Sequence, residues 1–428
     1  MKRIFVWALL LLFTSAASAQ DNPIKDQKLK ELIDRAVANF PKLKELEERL
    51  KLNDVKAELI QSNYKPTLGA NLQYEYLNPL STAEFGGQKF RFQPYNNFNT
   101  ALTVNQLVYD FGKTKLQLER NQAEQNLTAD NIYNNKNALA YEVAQIYYGI
   151  RFTNKAIEVQ EKQIASLKEN ERLIQAKLKN GDALQYDLLT TQVRTANSDN
   201  RMKDLKNNLE KSFVLLQWLT GSDERGSLSG VELTDELALQ TQTGDWKNSN
   251  PEARIINRNI ELYNYDLKAA VVNERPTIAT TFSGGWKNGY LPNLTKWQVN
   301  GAAGLGISVP IFSTNRPKLQ QKLIRVNIDV ANKSLDALES DIIKDLATVN
   351  QDYQTLQQKV GDQKVLVEQA EKAYQLAETR FKNGLITNVE LLTIQTSVED
   401  ANLNLLQLQY LMMLDKLESH KVVGTRLF

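Results

Sequence analysis

The chain of 428 residues is 42% hydrophobic and 24% charged, enough for a large folded protein and unlike a disordered one. It contains no cysteine, which excludes a disulfide frame, a thiolate metal site, a cysteine nucleophile and a lipid-anchor acceptor. Its 52 basic and 50 acidic residues leave a formal charge of +2, with no electrostatic footprint for nucleic acid.

Residues 1–19 read as a secretory signal peptide: Lys2 and Arg3 precede an apolar run from Ile4 to Phe13 and the small residues Ala17-Ser18-Ala19. The run is too short to span a bilayer, which takes about twenty apolar residues. Without Lys2 and Arg3 the mature chain carries no net charge. No later segment is apolar enough for a spanning helix, so an exported chain of this kind enters a membrane only as closed β-structure.

The first repeat occupies residues 20–221. An amphipathic stretch (Leu29, Leu32, Ile33, Val37) precedes a helical pattern opened by Phe40-Pro41-Lys42-Leu43 and stopped at Pro66. Strands are expected over about 66–77 and 97–109. In the first, Leu68, Ala70, Leu72, Tyr74 and Tyr76 alternate with polar residues; in the second, Phe98, Leu102 and Val104 oppose Asn99, Thr103 and Asn105. A polar loop with Gly86-Gly87 and Pro94 joins them. A long helical hairpin follows over about 112–221, turning at Asn180-Gly181 and returning from Asp182 or Ala183. Residues 222–249 are polar and glycine-bearing, with a short apolar group at Leu233 and Leu237, and join the two halves.

The second repeat, 250–428, matches the first. Pro251 and Arg275-Pro276-Thr277 follow Pro41 and Lys65-Pro66-Thr67 by 210 residues, whereas Asn383-Gly384 follows Asn180-Gly181 by 203. The seven-residue difference falls in the strand connection, because loops vary and two helices that run side by side cannot. Strands are expected over about 276–286 and 296–311, and a helical hairpin over about 314–424. Its first arm carries one apolar seam through Leu319, Leu323, Val326, Val330, Ile342, Leu346, Val360, Ala377 and Phe381. Alone, this arm suits a dimeric coiled coil; the flanking strands and the duplication argue otherwise.

Four strands per chain cannot close a membrane barrel, since the smallest has eight. Two copies give eight strands and an interior filled by side chains, while three give twelve and the beginning of a lumen. Aromatics stand at both ends of the strands: Tyr74, Tyr76, Phe98, Trp286 and Trp297 at the hairpin side, Tyr109, Phe111 and Phe312 at the helix side.

The duplicated helix-strand-strand-helix-helix unit, the helix openings at Phe40-Pro41 and Asn250-Pro251, the run Leu305-Gly306-Ile307-Ser308-Val309-Pro310 and the turn Arg380-Phe381-Lys382-Asn383-Gly384 together resemble TolC-like outer-membrane factors. The resemblance covers the mature chain. It implies a mainly α fold with a β-barrel part: a homotrimer whose protomers each give four strands to a shared twelve-stranded barrel in outer-membrane lipid and line a long α-helical periplasmic tunnel. Residues 222–249 would form an equatorial belt. The implied function is the outer-membrane channel of a tripartite efflux or type I secretion system, joined to an inner-membrane transporter through a periplasmic adaptor. The turns Asn180, Gly181, Asp182 and Asn383, Gly384, Leu385 are the expected adaptor-docking tips. A helical adaptor or scaffold would share the signal and the hairpins, but would not need strand pairs with apolar faces and aromatic ends.

No phosphate loop, nucleophile elbow or metal-ligand spacing occurs, so no enzyme, cofactor or metal site is expected. The single histidine, His420, reads as structural, placed where a cation suits a helix C-terminus. Thr387-Asn388-Val389-Glu390 starts a helix and fits a capping box, and Asp187 is the repeat equivalent of Glu390. In the family, acids at this turn constrict the tunnel. Glu390 falls on the first acid of that pattern and Thr393 on the second, while the tyrosine and arginine latch positions fall on Phe381 and Ile386, which cannot form the same polar lock.

Overall fold

The computed structural model describes residues 23–228, 237–312 and 314–428. The expected signal peptide and Leu233 lie outside them. Strand and helix alternate as the periodicity predicts, and the second half repeats the first. α3 (Lys113–Lys179) and α7 (Arg316–Lys382) each have 67 residues, and α4 (Gln185–Thr220) and α8 (Asn388–Val423) each have 36. All four bounds shift by 203 residues between repeats. Both helical returns start a little later than the glycine turn suggests, because three or more residues are needed to reverse the chain.

Two compact units cut across the repeats. Among the described residues, one contains 41–135, 243–312 and 314–345, the other 23–40, 136–228, 237–242 and 346–428. The join over 222–249 is therefore divided between them. Leu228 and Leu237 are buried in the second of these units, and Trp246, the first residue of the short helix α5 (Trp246–Ser249), in the first.

In the strand-bearing unit, α2 (Pro41–Gln61) leads through a 3-10 turn to β1 (Thr67–Tyr76), and α6 (Pro251–Val272) leads to β5 (Thr277–Lys287). With β4 (Asn96–Tyr109) and β6 (Gln298–Ser308) they form one antiparallel sheet of order β1-β4-β5-β6. The register puts one row of side chains on one face: Leu68 pairs with Val104, Val104 with Phe282, and Phe282 with Ala303. Asn71, Gln73, Asn99, Thr103, Ser283 and Asn300 share the other, as period two requires. On the apolar face the rings of Tyr74 and Phe98 stand 4.9 Å apart, and those of Phe98 and Trp297 5.4 Å.

Two features of the sheet go beyond the sequence pattern. The connection 77–95 folds into its own two-stranded ribbon, β2 (Thr82–Phe85) and β3 (Gln88–Arg91), turning at Gly86 and Gly87, where the sequence suggests only a loop. In β4 the register shifts between Leu107 and Tyr109. This one-residue bulge places Tyr109 opposite Ile278 on the apolar face, whereas strict alternation would have turned it to the polar one.

Both strand-to-helix junctions use two consecutive left-handed residues, Phe111 (φ 54°) with Gly112 (φ 93°), and Thr314 (φ 42°) with Asn315 (φ 56°). At the first, the Asp110 carboxylate accepts from Gly112 N–H (3.0 Å), Thr114 N–H (2.7 Å) and Tyr64 O–H (2.7 Å), fixing the start of α3. The upper seam residues expected to be buried, Leu319, Leu323, Val326 and Val330, are 64%, 63%, 51% and 60% exposed in the single chain, as are Leu52, Val55 and Leu59 on α2 at 60%, 61% and 69%. These stripes keep coiled-coil spacing, yet the described residues of the chain leave them largely uncovered. No helix among the described residues is long and apolar enough to cross a membrane.

In the other unit, α1 (Gln27–Asn39) buries Leu29, Leu32, Ile33 and Ala36. Its N-cap Asp26 accepts from Tyr147 O–H (2.6 Å) and Arg151 Nη1 (3.0 Å) on α3. The buried Glu224 is held by Lys28 (3.1 Å), Arg35, Ser222 (3.0 Å) and Ser227. His420 is structural, though not as a helix-end cation: it is 1% exposed, burial lowers its pKa, and Nε2 donates to the Ala238 carbonyl at 2.8 Å.

Gly285 tests the sheet. A Cβ there would lie 1.8 Å from the Thr100 carbonyl oxygen and 2.8 Å from Ala101 Cα, so β4 and β5 would have to part. At Gly304 the nearest atom would be 4.0 Å away. Gly285→Val is expected to abolish the folded protein, read as loss of β-signal and of a cooperative melting transition by circular dichroism, and Gly304→Ala to retain both.

Candidate functional site

α3 and α7 end in the same way. Asp182 N–H donates to the Lys177 carbonyl (2.9 Å) and Gly181 N–H to that of Leu178 (3.1 Å). Leu385 N–H donates to the Arg380 carbonyl (2.9 Å) and Gly384 N–H to that of Phe381 (3.1 Å). This paired closure is the Schellman motif, and it needs a left-handed residue at the glycine, where φ is 84° at Gly181 and 73° at Gly384. Asn180, Gly181, Asp182, Asn383, Gly384 and Leu385 are all exposed.

The two turns form one cluster. Ile174, Ala377, Phe381 and Leu391 are buried together, with Ala183, Leu188, Tyr374, Ile386 and Ile394 packed on them. Phe381 and Ile386 thus serve as core. Lys177 Nζ lies 4.5 Å above the Phe381 ring and donates to the Phe381 carbonyl (2.8 Å), tying the end of α3 to the end of α7.

A buried amide fixes the starts of the returning helices. Asn388, 3% exposed at the first turn of α8, donates through Nδ2 to the Asp187 carbonyl (3.1 Å) and to Thr191 Oγ1 (3.0 Å) on α4. Its Oδ1 accepts from Asn170 Nδ2 on α3 (3.0 Å). One side chain therefore links three helices. Asn170, Lys177, Thr191 and Asn388 escape sequence reasoning, since polar residues on a helix read as solvated until their neighbours are known.

Glu390 caps α8. Its Oε2 accepts from Thr387 N–H (2.7 Å) and Thr387 O–H (2.9 Å), and Glu390 N–H donates to Thr387 Oγ1 (3.3 Å). The bond from the Thr387 amide, then that from its hydroxyl, lowers the Glu390 pKa, so the carboxylate stays charged at neutral pH. Asp187 does half the same work, accepting from Leu184 N–H (3.1 Å) while Leu184 offers no side-chain acceptor in return. Glu390 is exposed and Asp187 half-buried. Beside Glu390 lies an open hollow lined by Leu376, Arg380, Ile386, Val389 and Thr393. The arrangement supplies a fixed charge and apolar surface at an exposed chain reversal.

The Asn388 network makes a definite prediction. Asn388→Leu strands the buried Asn170 amide at a cost of about 1–3 kcal/mol and is expected to lower Tm. In a double-mutant cycle with Asn170→Ala, the combined loss should fall short of the sum of the single losses.

A family profile described as outer membrane efflux protein matches residues 32–222 and 246–417. Solved structures share the fold. VceC of Vibrio cholerae is 17% identical with a TM-score of 0.71, covering 94% of this chain and 97% of its own. MtrE of Neisseria gonorrhoeae, in an open state, is 17% identical with a TM-score of 0.70, covering 93% and 89%. CmeC of Campylobacter jejuni is 15% identical with a TM-score of 0.68, covering 94% and 87%. Among curated protein sequences, none matches.

Proposed function

This chain belongs to the outer membrane efflux protein family, a family of channels, and we propose that it forms a trimeric duct that carries substrates from an inner-membrane transporter and periplasmic adaptor through the outer membrane. The observation that carries this reading is the sheet with two open edges. Its four strands alternate in direction, so β6 of one copy meets β1 of the next in antiparallel register, and the same contact repeated around a ring closes the sheet. Three copies supply twelve strands, and three is the smallest number of whole copies whose closure leaves a lumen. The row containing Leu68, Leu72, Phe282 and Leu305 would face lipid, and the asparagine-rich row would face water.

The uncovered stripes on α2 and α7 fit the same assembly, because neighbouring copies would bury them as coiled-coil seams. The tips Asn180, Gly181, Asp182, Asn383, Gly384 and Leu385 would dock the adaptor, being exposed chain reversals set on a rigid core. After cleavage of the signal the protein would reside in the outer membrane with a long periplasmic extension. Membrane fractionation and native mass in detergent test the assembly: a detergent-requiring trimer is expected, and a soluble monomer would overturn it.

Glu390 and Asp187 would narrow the duct electrostatically, three carboxylates of each type facing a poorly screened space. Glu390→Gln is expected to change single-channel conductance and cation selectivity in planar bilayers, with Asp187→Asn having the smaller effect. Lowered Tm with unchanged conductance would leave Glu390 as a cap alone.

A further inference from the structure

The β2–β3 ribbon carries an apolar face that the duct reading leaves unused. The ribbon continues the β1–β4 hairpin: between the pair Tyr76 and Asn96 and the pair Thr82 and Arg91 lie residues 77–81 on one side and 92–95 on the other. Alternation within it puts Ala83, Phe85 and Phe90 on one face and Thr82, Glu84, Lys89 and Arg91 on the other. Phe85 is 74% exposed and Phe90 48%, as is Phe92 just beyond the strand. Two strands alone are marginal in water, and an apolar face on them calls for cover.

The base of the ribbon is fastened to the sheet beside its apolar row. Leu77 N–H donates to the Tyr95 carbonyl (2.9 Å), and the Tyr95 ring stacks on that of Tyr76 with centroids 6.1 Å apart. The Arg91 guanidinium in turn lies 5.3 Å from the Tyr95 centroid. Tyr76 stands in the row of Leu68, Leu72 and Tyr74, so that row passes through stacked rings to a cation, which is the order of groups that suits the edge of a bilayer. The charge at this end also has one sign. The connections 77–95 and 288–297 hold Lys89, Arg91 and Lys296 against Glu84, a net +2, whereas the chain without residues 1–19 carries none. Gathered over the mouth of a trimer, three such ribbons would bring like charges together. Anionic headgroups would neutralise them.

We infer that the ribbon is an interfacial anchor, docked on a phosphate-bearing lipid surface with Phe85 and Phe90 at the boundary of the acyl chains and Lys89 and Arg91 among the headgroups. The inference rests on the duct reading, which sets this end of the sheet in the outer membrane. An element with aromatic residues on one face and cations on the other lies in the plane of the interface, and here two strands do what a surface helix does elsewhere. Three ribbons per trimer hold the barrel at a fixed depth. No acylated cysteine can supply that hold, since the chain has none.

The absence of cysteine also makes the test direct, because each single-cysteine variant of the mature protein carries one nitroxide label. Leu72→Cys, Glu84→Cys and Phe90→Cys are labelled and reconstituted into phosphatidylcholine vesicles with and without phosphatidylglycerol. Relaxation of the label by oxygen, which concentrates in lipid, is then compared with relaxation by a neutral nickel chelate, which stays in water. The oxygen-to-nickel ratio should be several-fold higher at position 90 than at position 84, and higher with the anionic lipid than without it; Phe85→Cys takes the place of Phe90→Cys should that variant fail to fold. A ratio at position 90 as low as that at 84 would overturn the inference, and so would spin–spin broadening from ribbons of neighbouring copies packed on one another. Indifference of position 90 to the anionic lipid would overturn the headgroup contact. A low ratio at position 72 would overturn the duct reading itself, so the two failures are distinguishable.

Discussion

Backbone groups at the edge of a β-sheet must find partners, and in this protein that requirement reaches furthest. Among the described residues, no strand pairs with the outer edge of β1 or of β6. The same sheet leaves Leu72 and Val299 81% and 77% exposed. An open edge with an apolar face aggregates in water and is expensive in hydrocarbon. Joining β6 to β1 of another copy removes both edges and lets lipid take up the apolar face. In the assembly we propose, folding and association are therefore parts of one event.

The helices answer a related constraint. Packed side by side, they must match in length, and the repeats hold both arms to 67 and 36 residues while the strand connections differ. Side chains at the seams then decide how firmly each pair is held. The apolar cluster at the turns, with Lys177 over Phe381, is held by direct packing. The Asn170 and Asn388 pair is polar, with Asn388 bonded through both ends of its amide, and it fixes register. Polar residues in a helical core give up some stability for a unique arrangement, and here they stand beside the residues proposed to dock and to constrict.

The architecture was legible because it is written in periods. Alternation of two marked the strands, spacings of three and four marked the helices, and a shift of 203 residues paired the hairpins. Each of these is a local consequence of which face is buried, so a single chain displays it. Gly181, Gly384 and the Thr387-Glu390 cap could be named for the same reason: their partners lie within a few residues.

What the sequence could not determine depends on partners distant along the chain. The bulge at Val108 that re-aims Tyr109 is a matter of register against β5, and the ribbon 82–91 is a pairing inside what composition marks only as a loop. Asn388 differs in no local way from a solvated asparagine. Its burial and its three bonds exist only because α3 and α4 arrive beside it. His420 reads by position as a helix-end cation, and burial instead favours the neutral ring, against the smaller opposing effect of its bond to the Ala238 carbonyl. The sequence by itself determined the elements, their duplication and their turns, because backbone propensity and periodicity act over short range. The tertiary structure alone decided which polar side chains are buried, which are bonded and which are charged, because desolvation depends on every element that closes around a group.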